Sequence, residues 1–207
     1  MVLGDAPTAP RGPRGPYAKS QQTRSSILDS ALKVFAESGY RSGSLRNVAD
    51  RVGMSEAGLL HHFPSKSALL EAVLERRDEQ TQEQFDFDPD HGVEVLRSLI
   101  KLAEYNASTP GVVELFCTLS AEATSPEHPA HAYFINRYEF TRGMTLGAFR
   151  ELADRGELRP EVQPEAAARG VIALMDGLQI QWLLDRNSVD MAGDLRSYLS
   201  AIVQTEL

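Results

Sequence analysis

Across 207 residues there is one cysteine, Cys117, and one tryptophan, Trp182. A single cysteine cannot close an internal disulfide, which excludes the stapled class of small secreted domains. No apolar run approaches the roughly 20 residues that span a bilayer. The stretch from Gly170 to Met175, among the more apolar, is far too short. No basic segment followed by an apolar one opens the chain, so a secretory leader is not expected, and the protein is expected to be soluble and cytoplasmic. Alternating β-branched runs of strand length are missing. So are a glycine-rich phosphate loop and a convincing Ser/His/Asp or Cys/His set. These absences point away from a sheet protein and away from an enzyme, and neither a cofactor nor a metal is expected.

Apolar residues make up 42% of the chain and charged residues 24%, enough to bury a core. The formal net charge of -8 hides an uneven distribution. Residues 1–66 carry nine Lys/Arg against five Asp/Glu, whereas residues 67–207 carry twelve against twenty-four. A basic head on an acidic body means that only the head is suited to phosphate. The first twenty residues hold Pro7, Pro10, Pro13 and Pro16 with Arg11 and Arg14 between them. Repeated proline denies helical hydrogen bonds, so residues 1–20 are expected to form an extended arm. Two readings of it stay open: an untethered chain end, or an arm whose Arg11, Arg14 and Lys19 reach DNA.

Beyond the arm the pattern is helical throughout, and the expected class is all-α. Leu28, Ala31, Leu32 and Phe35 share one helix face that ends at Gly39. Leu45, Val48, Ala49 and Val52 repeat the spacing behind a capping Ser44. Ser55 is placed to cap a third, short helix with Leu59 and Phe63, and Ser65 a fourth that starts near Lys66. A loop is expected over Asp86–Gly92. Helices are then expected over 93–107, 111–123, 129–155, 164–186 and 190–204, separated by turn and breaker residues.

Only Gly53-Met54-Ser55 separates the second and third helices, and so short a turn forces them to cross steeply. That is a helix-turn-helix, whose second helix presents its N-terminal residues to a major groove. The stretches Ile27–Phe35, Ser38-Gly39-Tyr40, Val48–Ser55 and His62–Lys66 together resemble the tetracycline-repressor (TetR) family of bacterial transcription regulators. Position by position, the resemblance implies that Ser44 and Arg46 approach DNA and that Glu56, Ala57 and Gly58 begin the base-reading helix. It also implies that His61 and His62 touch the DNA backbone and that Lys66 contacts a phosphate. Ser55 is a cap first and a DNA contact second. One departure is Leu60, where the family commonly has tyrosine and so a hydroxyl for a phosphate.

The resemblance further implies a homodimer on a near-palindromic operator in double-stranded DNA, read here as a repressor released by a small molecule. The division expected is an arm over 1–20, a DNA-binding domain with its linking helix over 21–81, and a ligand-binding and dimerisation domain over 82–207. Helix 164–186 is apolar nearly all round, and the last helix adds Leu195, Tyr198, Leu199, Ile202 and Val203, so these two are the expected pairing surface. Tyr105, Phe116, Cys117, Ser120, Phe134, Tyr138, Met175, Gln179 and Trp182 combine apolar bulk with a few polar groups and are the candidate pocket. Ordinary core packing would produce the same stripes.

The alternative is a helical small-molecule or metal-binding protein with hydrolase-like chemistry, using His128, His131 and the acidic loop. The loop Asp86-x-Asp88-x-Asp90 continues with His91 instead of glycine and reaches Arg97 at its twelfth position, which argues against calcium. His128-x-x-His131 has Pro129 inside it and no evident third ligand. His61 and His62 are adjacent on a helix, about 100° apart, a poor chelating pair.

Overall fold

Serines set one residue ahead of apolar-periodic runs start three helices. Ser44 Oγ accepts the Asn47 N–H, Ser55 Oγ the Gly58 N–H and Ser65 Oγ the Ala68 N–H, each at 3.1 Å. Each bond satisfies a backbone donor that a helix start leaves free, stabilising it by about 1 kcal/mol. The computed structural model describes residues 16–207. The head comprises α1 (Pro16–Ser42), α2 (Leu45–Val52), α3 (Glu56–His62) and the start of α4 (Lys66–Gln84). The body follows with α5 (Val93–Ala107), α6 (Pro110–Glu122), α7 (His131–Asp154), α8 (Pro164–Leu184) and α9 (Met191–Ile202).

The protein is all-α. Among the described residues no strand forms, and one isolated antiparallel bridge joins Leu158 to Val203. Beside it Arg159 N–H donates to Ile202 O at 3.0 Å and Gln204 N–H to Glu157 O at 2.7 Å, fastening the C-terminal segment to the α7–α8 turn. Among the described residues no helix is long and apolar enough to cross a membrane.

One correction concerns the arm. α1 begins at Pro16, so Lys19 lies in the early turns of a helix and not on an extended segment. Proline suits that position because a first-turn N–H would be unpaired anyway. Arg11 and Arg14 lie outside the described residues. The apolar face of α1 breaks at Gly39, where φ is 72° and ψ 163°, and one further turn carries Tyr40 and Arg41.

Apolar packing does not divide where the head's last helix ends. One cluster joins Ile27, Ala31, Phe35, Val48, Leu59 and Leu70 of the head to Leu115, Leu119 and Ala123 at α6 and Phe134 on α7. The other fills the body between α5, α7, α8 and α9. α6 presses closely on α1: a Cβ placed on Gly111 would come within 3.3 Å of Ala36. Leu195 and Leu199 on α9, and Val203 just beyond it, are buried in their own chain's core. The apolar face expected to pair across subunits is therefore used internally, and Ser197, Ser200 and Ala201 face outward. α8 differs, because Ile180 is 53% and Leu184 83% exposed.

The shared cluster makes a body residue a determinant of head stability. Leu119→Ala is expected to cost about 2–5 kcal/mol. Hydrogen exchange should then show lost protection in α1 as well as in α6. Protection lost in α6 alone would show that the head holds itself together.

Candidate functional site

Gly53 closes α2 in a left-handed conformation, φ 77° and ψ 37°, with its N–H on Asp50 O and the Met54 N–H on Ala49 O. Glycine reaches that conformation without a Cβ penalty, and α3 starts two residues later from Ser55. Arg46, Glu56, Ala57 and His61 are exposed; Ser44, Gly58 and His62 are half-buried. Among the described residues Arg46 has no acidic partner, whereas Arg51 is bound by Glu37 at 2.8 Å. Leu60 presents an apolar surface on α3, 38% exposed.

Lys66 is tethered. Its Nζ donates to Arg41 O at 3.0 Å and sits 4.6 Å from the centre of the Tyr40 ring. Partial burial holds its pKa below the usual lysine value. An ammonium has three protons, so this anchoring leaves others for a phosphate. Arg24, not singled out from the sequence, also reaches α3: it donates to His62 O at 3.2 Å and stacks on Phe63.

In the body, α4, α5, α6, α7 and α8 line a cavity of about 630 Å³. Phe116, Cys117, Ser120, Phe134, Tyr138, Met175 and Gln179 line it, seven residues that the sequence pointed to. Tyr105 and Trp182 do not. The Tyr105 ring faces away, against Phe85 at 6.2 Å and under the Arg77 guanidinium. Trp182 is turned into the body core and 6% exposed, a helical turn beyond Gln179.

The polar lining is a connected set. Arg137 pairs with Asp78, whose second oxygen accepts the Tyr133 O–H at 2.6 Å. Burial lowers the Arg137 pKa to about 10. Tyr138 donates to Asp176 at 2.8 Å, and burial raises the Asp176 carboxyl above its usual range. Cys117 lies 3.7 Å from Gln179 Oε1, and burial together with Asp176 pushes its thiol up to about 11, so it is not an activated nucleophile.

Head and body meet at the end of α6. Glu122 pairs with Arg41 at 3.1 Å and lies 3.5 Å from His128 Nε2, while the His128 ring packs edge-on to Tyr40. His131 Nδ1 lies 2.7 Å from Ala123 O. The two imidazoles are thus engaged in separate structural contacts and do not converge. In the acidic loop Asp86 and Asp88 accept backbone N–H groups of the loop itself, at 3.1 Å each.

The family model for bacterial regulatory proteins of the tetR family matches residues 27–73, and that for the C-terminal part of BetI-type transcriptional repressors matches residues 92–207. The chain belongs to the TetR family. It is a DNA-binding transcriptional regulator. It is 26% identical over 196 residues to the transcriptional regulator TtgR of Pseudomonas putida, covering 87% of this chain and 90% of that one. Among solved structures, SmeT in complex with triclosan superposes with a TM-score of 0.74 at 22% identity, covering 88% of this chain and 92% of that one. A regulator from Saccharomonospora viridis in complex with choline gives 0.71 at 24% identity, covering 89% and 100%.

Within this TetR-family fold the sequence left out the charged half of the cavity. Glu71, Glu75, Asp78, Glu79 and Gln82 follow helical spacing along one face of α4, a pattern that a solvated surface shares. Asp176 is the one charge between Arg169 and the end of α8, a local signal, whereas Arg137 lies on an α7 that also carries Glu139, Arg142, Arg150, Glu151 and Asp154 and does not stand out.

Ser55 holds the start of α3. Ser55→Ala is expected to destabilise the protein by about 1 kcal/mol, with Ser55→Thr restoring most of it. Urea unfolding of the three proteins checks this, and an unchanged midpoint for the alanine variant would remove the cap from the account.

Proposed function

We propose that two copies of this chain bind a near-palindromic DNA operator as a repressor, and that a small molecule in the body cavity releases them. The chain is read as a binding protein, not a catalyst, divided into a DNA-binding unit over 21–81 and an effector and dimerisation unit over 82–207. The observation that carries this reading is the sharing of helices: α4 starts at Lys66 beside the DNA-reading helix and lines the cavity further along, and α6 lines the cavity and ends on Arg41. A molecule that displaces α4 or α6 would move the heads.

On the DNA side, α3 would enter the major groove with Ser55, Glu56, Ala57 and Gly58 leading. Arg46, His61, His62, Lys66 and Ser44 would approach the backbone or base edges. A Glu56 carboxylate repels phosphate but can accept from a cytosine amino group. Pairing would run through α8 and α9, with exposed Ile180 and Leu184 on the first and the small outward residues of α9 on the second. Triclosan and choline, held by two proteins of this fold, are chemically unlike, so the fold alone names no effector class. Coupling of about 1–3 kcal/mol would weaken DNA binding about 5–150-fold, and DNA would weaken effector binding equally.

Selection from random DNA, followed by salt titration of the recovered site, tests the reading. The Arg46→Ala, Lys66→Ala double variant should bind about 10–100-fold more weakly, and its plot of log affinity against log salt should be shallower by about 2. A selection that enriches no sequence, or a double variant with unchanged affinity and slope, would refute this account of the head.

A further inference from the structure

The cavity lining is lopsided in charge. Glu71, Glu75, Asp78 and Glu79 from α4 and Asp176 from α8 face it, against a single cation, Arg137. Arg137 is paired with Asp78 and lies over the Phe116 ring at 5.3 Å, so Asp176 has only a share of its charge. The neighbouring Arg77 does not line the cavity; its guanidinium is held by Thr81, Asn106 and the face of Tyr105. Among the described residues, Glu71, Glu75, Glu79 and Asp176 have no ion-pair partner.

The four play different parts. The three glutamates line the cavity and are exposed to solvent. Asp176 is half-buried, and its one polar side-chain partner is the Tyr138 hydroxyl. A carboxylate withdrawn from water in this way gains more from an arriving cation than an exposed one does, because the surrounding dielectric is lower. Aromatic rings line the same cavity: Phe116, Phe134, Tyr138 and Phe140, with Tyr138 bonded to Asp176. Ring faces attract cations and also cover apolar surface. An anion would meet uncompensated carboxylates. A neutral molecule would shut Asp176 away from water and leave it only the Arg137 charge that Asp78 already shares. An inorganic ion would leave most of the 630 Å³ unfilled, a volume within the range of about 300–1,000 Å³ that suits drug-sized ligands.

We infer that the cavity takes an organic cation with an apolar body, its charge held beside Asp176 and its approach guided by Glu71, Glu75 and Glu79. This rests on the proposal that the cavity is the effector site. The buried carboxylate sets affinity. The exposed glutamates act on the association rate and are screened by salt.

The test is calorimetry and stopped-flow binding on the full chain without DNA. The probes are phenylbutyltrimethylammonium, phenylbutanol and phenylpentanoate, which share one apolar part and differ in charge. The cation is expected to bind roughly tenfold or more tighter than the alcohol, and the anion weakest. Asp176→Asn should weaken the cation by about tenfold or more and change the alcohol by less than about twofold. The variant with Glu71→Gln, Glu75→Gln and Glu79→Gln alters only exposed positions. It should slow association of the cation and flatten its salt dependence even if Asp176→Asn folds poorly. Equal affinity for cation and alcohol, or cation binding indifferent to both variants, overturns the inference. Operator binding is measured separately with the same cation. Asp176-dependent binding that leaves operator affinity unchanged would overturn the effector reading while the cation site stood.

Discussion

The packing of α6 against α1 is the contact on which the rest of this molecule depends. Leu115, Leu119 and Ala123 close a core that α1, α2, α3 and α4 begin but do not complete. A three-helix head is small, and small units bury too little apolar surface to offset the entropy of ordering a chain. Borrowing one side of α6 supplies the missing surface. It also makes the position of the head a function of where α6 lies. The side of α6 that carries Phe116, Cys117 and Ser120 is a cavity wall, so one helix reports on both compartments.

Charge reinforces that arrangement. The head carries the exposed cations around α2 and α3, while α4 turns from basic at Lys66 to acidic from Glu71 onward. Carboxylates along the body repel a phosphate backbone and leave the head as the only favourable approach. The same carboxylates at the cavity mouth present a field of opposite preference to that of the DNA-reading surface. On the proposed reading, the two ligands are kept apart by sign of charge as well as by distance. The ion pair between Arg41 and Glu122 bridges the two fields at the point where α1 meets α6.

The helical order was legible because each boundary is marked chemically. Ser44, Ser55 and Ser65 cap, Gly53 turns, and Pro110 and Pro164 sit in first turns. So beyond α1, which starts at Pro16 inside the expected arm and runs three residues past Gly39, expected and observed helix ends agree to within two residues. The head was legible for the same reason, since its motif is local and unbroken. The cavity was half legible. Its apolar wall follows the amphipathic pattern, but nothing local tells a carboxylate facing a cavity from one facing bulk water. That distinction arises only when α4 is laid against α7 and α8. Tyr105 and Trp182 failed on the same ground, being aromatic residues in the right helices whose direction is set by neighbours distant in sequence. The last helix illustrates a different limit. Periodicity shows that Leu195 and Leu199 seek burial, but not whether their own chain or a second one provides it.

The shared core also bears on how regulators of this shape diversify. A head that finished its own core could be exchanged between bodies at the α4 boundary like an interchangeable part. Here a graft cut after α4 would leave the Phe35–Ala36 end of α1 facing a foreign α6, with cavities or clashes where Leu115 and Leu119 now fit. If α3 reads the operator as proposed, new specificity is more accessible by changing its exposed residues than by recombining whole heads. Any recombination that succeeds has to carry the inward face of α6 along with the head.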